Sequence, residues 1–199
     1  MYPRTACGVG QRRRSTELLL LTFLITLLPL SVPVHADSGY QVFVPLVVTE
    51  PRCEPSSQEA EFEALFRSGP NQTRAAINCN PTLSAVAQQR AEDMAARHYF
   101  SHVNPDGVGP NQLVRDAGYH LPSFYSMERD GNNIESIAGG FASAQEAWTG
   151  LLGSPAHRRH LLGEVDFYRE QIDLGIGFVE DPDSDYRYYW VILTARTGE

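Results

Sequence analysis

Three short segments carry side chains suited to chemistry. Tyr99-Phe100-Ser101-His102 leads into Asn104-Pro105-Asp106-Gly107, Glu135-Ser136-Ile137-Ala138-Gly139-Gly140 follows an irregular stretch, and Ser154-Pro155-Ala156-His157-Arg158 opens a helix. Each sets one His or Glu at the edge of a regular element, where side chains can converge on a cleft. Neutral imidazole and carboxylate oxygen are suitable zinc ligands. Two His and one Glu would also leave positions open for water, as a catalytic metal requires. His157 falls in the first turn of its helix, where the positive end of the dipole disfavours imidazolium and keeps the ring neutral. The competing reading is a polar network that pins loops to a sheet and holds no metal. Other signatures are missing: there is no Gly-rich phosphate loop, no zinc-type cysteine pair, no His-Glu-x-x-His and no Gly-x-Ser-x-Gly. Asp181-x-Asp183-x-Asp185 lacks the Gly and terminal Glu of a calcium loop and reads as a solvated turn.

The elements around these segments follow from local signals. Ser56-Ser57 with Glu59 starts a helix that buries Phe62, Leu65 and Phe66 and stops at Gly69-Pro70. Asn80-Pro81 is an N-cap followed by Pro at the first helical position. Leu83, Ala87, Ala91, Met94 and His98 then recur at helical spacing, which places His98 on the helix face. Asn111 to Ala117 is a short helix, and Ser143-Ala144-Gln145-Glu146 is a capping box opening another. Leu174 to Phe178 and Tyr188 to Leu193 read as the strands of a hairpin. Helices first and a β-pair last, without βαβ alternation, predict an α+β fold with an antiparallel sheet covered by helices. His120 and His160 show no placement signal.

The N-terminus reads as an export signal over residues 1–36. Arg4 and Arg12 to Arg14 form a basic head, Leu18 to Leu30 an apolar run, and Val34-His35-Ala36 a small-residue cleavage site. The run is too short for a membrane span, which needs about 20 apolar residues. Residues 37–55 read as a linker and 56–199 as one domain. The chain carries a net charge of −8 and no lysine. An acidic surface argues against nucleic acid or anionic lipid as partners. Of the three cysteines, Cys53 and Cys79 remain after cleavage, and in an exported chain they most simply form one disulfide. The expected product is a monomer outside the cell with no transmembrane anchor.

Taken together and in order, the three segments plus Gly175-x-Gly177 resemble the CAP superfamily of cysteine-rich secretory, antigen 5 and plant pathogenesis-related proteins. The likeness is to the bacterial extracellular (SCP-like) branch and spans about residues 58 to 196. It implies a three-layer α-β-α sandwich with a central cleft of histidines and acidic residues that binds a divalent metal in some members. His102, Glu135 and His157 fall on the matching positions and become the candidate metal ligands. Many members carry a second Glu. Glu146 is the nearest candidate here, although its spacing from Ser143 already explains it as a helix cap. Ser136 stands where Asn is usual, and Leu151 where Trp is usual, with Trp148 one turn earlier. The first functional reading is a secreted, non-catalytic domain binding a divalent metal such as zinc and a small or apolar ligand. The alternatives are an extracellular metal-dependent hydrolase with Glu135 as base, and an interaction module tethered by its linker.

Overall fold

A computed structural model describes residues 53–198; the segment expected to be an export signal and most of the expected linker lie outside the described residues. Ten elements follow in order: α1 (Ser57–Ser68), β1 (Asn78–Cys79), α2 (Pro81–Ala96), α3 (Pro110–Asp116), β2 (Glu135–Gly139), α4 (Ala144–Leu152), α5 (Pro155–Leu162), α6 (Asp166–Arg169), β3 (Asp173–Glu180) and β4 (Tyr188–Ala195). The four strands form one sheet in the order β1-β3-β4-β2. The hairpin β3–β4 and the pair β2–β4 are antiparallel, but β1 joins β3 in parallel. The sheet is therefore mixed, which corrects the expected antiparallel sheet. The cause is non-local: the chain enters α2 immediately after β1, so β1 is two residues long and carries too little pattern to show its direction.

Alternation along β4 divides the core. Tyr189, Val191 and Leu193 face α2 with Leu83, Ala87, Ala91 and Met94. Trp190 and Ile192 face the other way, toward Phe62 and Phe66 of α1, Trp148 and Leu151 of α4, and Leu161 of α5. Helices thus cover both faces of the sheet. The Gly-x-Gly motif sets how closely α2 approaches. A Cβ on Gly175 would lie 2.2 Å from the Leu83 carbonyl carbon, and one on Gly177 2.4 Å from that of Ala87.

The capping signals form as read. Ser56 and Ser143 each open a reciprocal capping box, and Asn80 accepts from the backbone N–H groups of Thr82 and Leu83. Cys53 and Cys79 are disulfide-bonded, tying the segment before α1 to the sheet edge before α2. His98 departs from its expected place on the helix face. It lies beyond the end of α2 with φ of 54°, exposed, its Nδ1 3.3 Å from a carboxylate oxygen of Asp185. No helix among the described residues is long and apolar enough to cross a membrane.

Candidate functional site

A single buried ion pair organises the site. Arg90 lies on the sheet-facing side of α2, its side chain only 2% exposed, against a Glu135 side chain that is fully buried. Its Nε donates to Oε2 of Glu135 at 3.0 Å and its Nη2 to Oε1 at 3.3 Å. The same Nη2 reaches the backbone carbonyls of Ser101 and His102, at 2.8 and 3.1 Å. The guanidinium therefore holds both the carboxylate and the loop that carries the first histidine. Burial opposes the Arg90 charge, but the Glu135 carboxylate outweighs it and holds the pKa above its ordinary value.

Glu135 opens β2, where it pairs with Leu193 of β4. Its entry is shaped by Asn132, whose Oδ1 accepts from the N–H groups of Ile134 and Glu135 and whose Nδ2 donates to the Glu135 carbonyl. Nδ1 of His102 lies 2.9 Å from Oε1 of Glu135. A carboxylate already paired with a guanidinium can only accept, so Nδ1 carries the proton and Nε2 keeps its lone pair when the ring is neutral. This is the carboxylate-to-histidine relation by which an outer residue orients an imidazole toward a ligand.

His102, Glu135 and His157 all line one cavity of about 170 Å³, together with Asn132, Ser136 and His160. His157 is brought there by the first turn of α5, and burial followed by the charge of His102 lowers its pKa. His160, one turn further along α5, forms the cavity floor. Its Nδ1 is 2.6 Å from the Ser136 hydroxyl and its Nε2 2.6 Å from that of Thr194. Thr194 donates onward to the side-chain Oε1 of Gln171, so it accepts from His160, whose Nδ1 in turn accepts from Ser136. Ser136, the departure from the usual Asn, is thus the partner of a buried histidine. Arg74 supports the floor, donating to the carbonyls of His160, Leu161 and Gln171; burial without a facing carboxylate pushes its pKa down to about 10, still charged at neutral pH.

Glu146 does not join the cavity. Its Oε2 accepts from the N–H groups of Ala142 and Ser143 at 3.2 Å, the reciprocal half of the capping box. Sequence reasoning misses Arg90 and His160, although each leaves a trace. Arg90 follows Val86 by four residues and precedes Met94 by four, within an apolar stripe where a charge demands a buried partner. His160 follows His157 by one turn, the spacing that puts both on one helix face.

The sequence profile of the cysteine-rich secretory protein family (CAP) matches residues 66–193, well over half the chain. The chain belongs to the CAP family. Among solved structures it is similar to an outer surface protein from Borrelia burgdorferi, with 16% identity and a TM-score of 0.52, covering 69% of this chain and 90% of that one. It is also similar to an extracellular SCP-domain protein from Bacillus anthracis, with 21% identity and a TM-score of 0.44, covering 62% of this chain and 35% of that one. No curated protein matches. The three candidate metal ligands of this CAP domain are not equally free. Both oxygens of Glu135 already accept hydrogen bonds, Oε2 from Arg90 and Oε1 from Arg90 and His102. Among the described residues, no group of three or more His, Cys, Asp or Glu side chains is arranged to hold a metal ion. The two imidazoles of His102 and His157 remain as donors of suitable chemistry.

The buried His160 makes a pH prediction. Burial first, then the nearby Arg74 charge, holds its pKa well below the ordinary 6.5. The unfolded chain takes up a proton near pH 6.5 while the fold refuses it. Stability is therefore full above that pH and falls as pH drops below it, by at most about 1.4 kcal/mol per pH unit from this residue. Urea midpoints measured from pH 7.5 to 5 should decline, and His160→Gln should flatten the decline. A slope unchanged in the variant would remove His160 as its source.

Proposed function

We propose that this CAP domain is an exported, non-catalytic binding module whose cleft takes a small ligand through the imidazoles of His102 and His157. Glu135 acts on His102 as a positioning residue. The observation that supports this is the double engagement of Glu135, whose oxygens accept from Arg90 and from Nδ1 of His102 and so leave the Nε2 lone pair for a ligand. Both Glu135 oxygens already face donors from Arg90 and His102, which weighs against Glu135 as the base of a hydrolase. The cavity of about 170 Å³ is smaller than the roughly 300 Å³ at which drug-sized pockets begin. It suits a ligand of a few atoms better than an apolar chain. A hydrated divalent cation such as zinc is the best chemical fit, held by the two imidazoles and completed by water. Export is supported by the leader-like N-terminus and by the extracellular or outer-surface descriptions of the similar proteins.

Calorimetric titration with zinc chloride tests this. The protein should bind one zinc, and His102→Ala or His157→Ala should weaken binding by about tenfold or more, the loss of one ligand bond being worth at least about 1.4 kcal/mol. Glu135→Gln, which keeps a hydrogen-bond acceptor, should weaken it less than either alanine. Glu146→Ala should leave it unchanged while lowering stability by about 1 kcal/mol through the lost cap. No heat from the wild-type protein would end the metal reading.

A further inference from the structure

The edge of β3 borders a second cavity, larger than the histidine cleft and lined by different residues. β1 pairs with β3 only at Asp173 and Leu174, because the chain leaves the edge at Asn80 to begin α2. Asn80 N–H donates to the Leu174 carbonyl at 2.9 Å, so Leu174 turns its backbone groups toward the β1 side. By the two-residue period of a strand, Ile176 and Phe178 turn theirs the same way. Beyond Leu174, among the described residues, no strand lies there. The Phe178 N–H is met instead by two side-chain oxygens, Oε1 of Glu59 at 3.0 Å and Oε1 of Gln88 at 3.2 Å. They stand where the carbonyl of a neighbouring strand would stand. Among the described residues, no side chain or loop backbone pairs with the Ile176 N–H.

This edge forms the floor of a groove of about 760 Å³, with α1 as one wall, α2 as the other and the Cys53–Cys79 disulfide at one end. That volume falls within the roughly 300–1,000 Å³ of ligand sites. Ile176 and Phe178 give the floor an apolar surface, and the charged residues of the lining are Glu54, Glu59 and Glu63, without arginine or histidine. Open edges in natural sheets are ordinarily blunted by charges or covered. Here the edge lies open between two helices, and an acidic side chain and an amide meet the Phe178 N–H in place of a strand.

We infer that this groove binds an extended, basic peptide segment of a partner protein, which adds to β3 as a strand and continues the line of β1. Its backbone pairs with Ile176, displaces Glu59 and Gln88 from Phe178, and sets arginine or lysine side chains against the glutamates. Backbone pairing supplies the affinity and the acidic wall the selectivity. The inference does not depend on what the histidine cleft binds.

The probe is an acetylated hexapeptide of alternating arginine and valine, followed by amide-resolved NMR. The peptide should bind and slow hydrogen exchange of the Ile176 amide by about tenfold or more, since pairing removes that N–H from solvent. Methylating alternate backbone nitrogens of the peptide, or replacing arginine by glutamate, should weaken binding by about tenfold, or about 1.4 kcal/mol. Ala85→Trp, which fills the groove from an exposed position on α2, should do the same. Absence of binding would overturn the proposal. So would binding that leaves Ile176 exchange unchanged, that survives N-methylation, or that Ala85→Trp does not weaken.

Discussion

Arg90→Ala is expected to lower stability by about 3–5 kcal/mol, the usual result of removing one partner from a buried ion pair. For a domain of this size that corresponds to a fall in melting temperature of roughly 10 °C or more. Most of the loss comes from Glu135, left as a charge with a fully buried side chain and only His102 beside it. The loop also loses its anchor, because Arg90 donates to the carbonyls of Ser101 and His102. Arg90→Met combined with Glu135→Leu separates these effects. Removing both charges should restore a large part of the stability, since apolar replacement of a buried pair is often near neutral. The same double variant should still bind zinc more weakly than wild type, because His102 is no longer oriented. A double variant as unstable as Arg90→Ala would show that Arg90 acts through packing and not through its charge.

Replacing Cys53 and Cys79 by serine should cost roughly 3–4 kcal/mol, the chain-entropy value for a closed loop of about 27 residues. The bridge joins the segment before α1 to β1 at the edge of the sheet. The loss should therefore be concentrated there, and hydrogen exchange should rise in α1 and at Asn78–Cys79 more than in the β3–β4 hairpin. Chemical denaturation of the double-serine variant measures it. A loss below about 1 kcal/mol would mean that packing of Phe62 and Phe66 alone holds α1 in place, since such a value lies near the bottom of the range seen for disulfides.

The elements that can be read from the sequence are those with local causes. Asn80-Pro81 and Ser143-Ala144-Gln145-Glu146 carry their caps within four residues, and the β3–β4 strands run over eight residues each. β2 does not read as a strand, because Glu135–Gly139 is short and mostly buried and owes its extended form to pairing with β4. β1 is shorter still, and its parallel direction depends on a partner, Asp173–Leu174, far along the chain. His98 is misplaced by sequence for a similar reason: the apolar period runs on past Ala96, but the backbone turns to positive φ at His98 itself.

The site divides along the same line. His102, Glu135 and His157 are marked by short motifs, and all three line one cavity. What they do to one another is not legible in those motifs, because it depends on Arg90, a residue of another element. A carboxylate in a motif beside histidine motifs reads as a ligand. The same carboxylate clamped by a guanidinium becomes a residue that orients the histidine.

That role for Glu135 is the centre of the account, and nitrogen-15 NMR of the His102 imidazole tests it most directly. In its neutral form the ring should carry its proton at Nδ1 and not at Nε2, and zinc should perturb Nε2 of His102 and the ring of His157. The carboxyl carbon-13 resonance of Glu135 should show no sign of direct coordination. A ring protonated at Nε2, or a Glu135 carboxyl that shifts as a metal-bound group, would contradict the account.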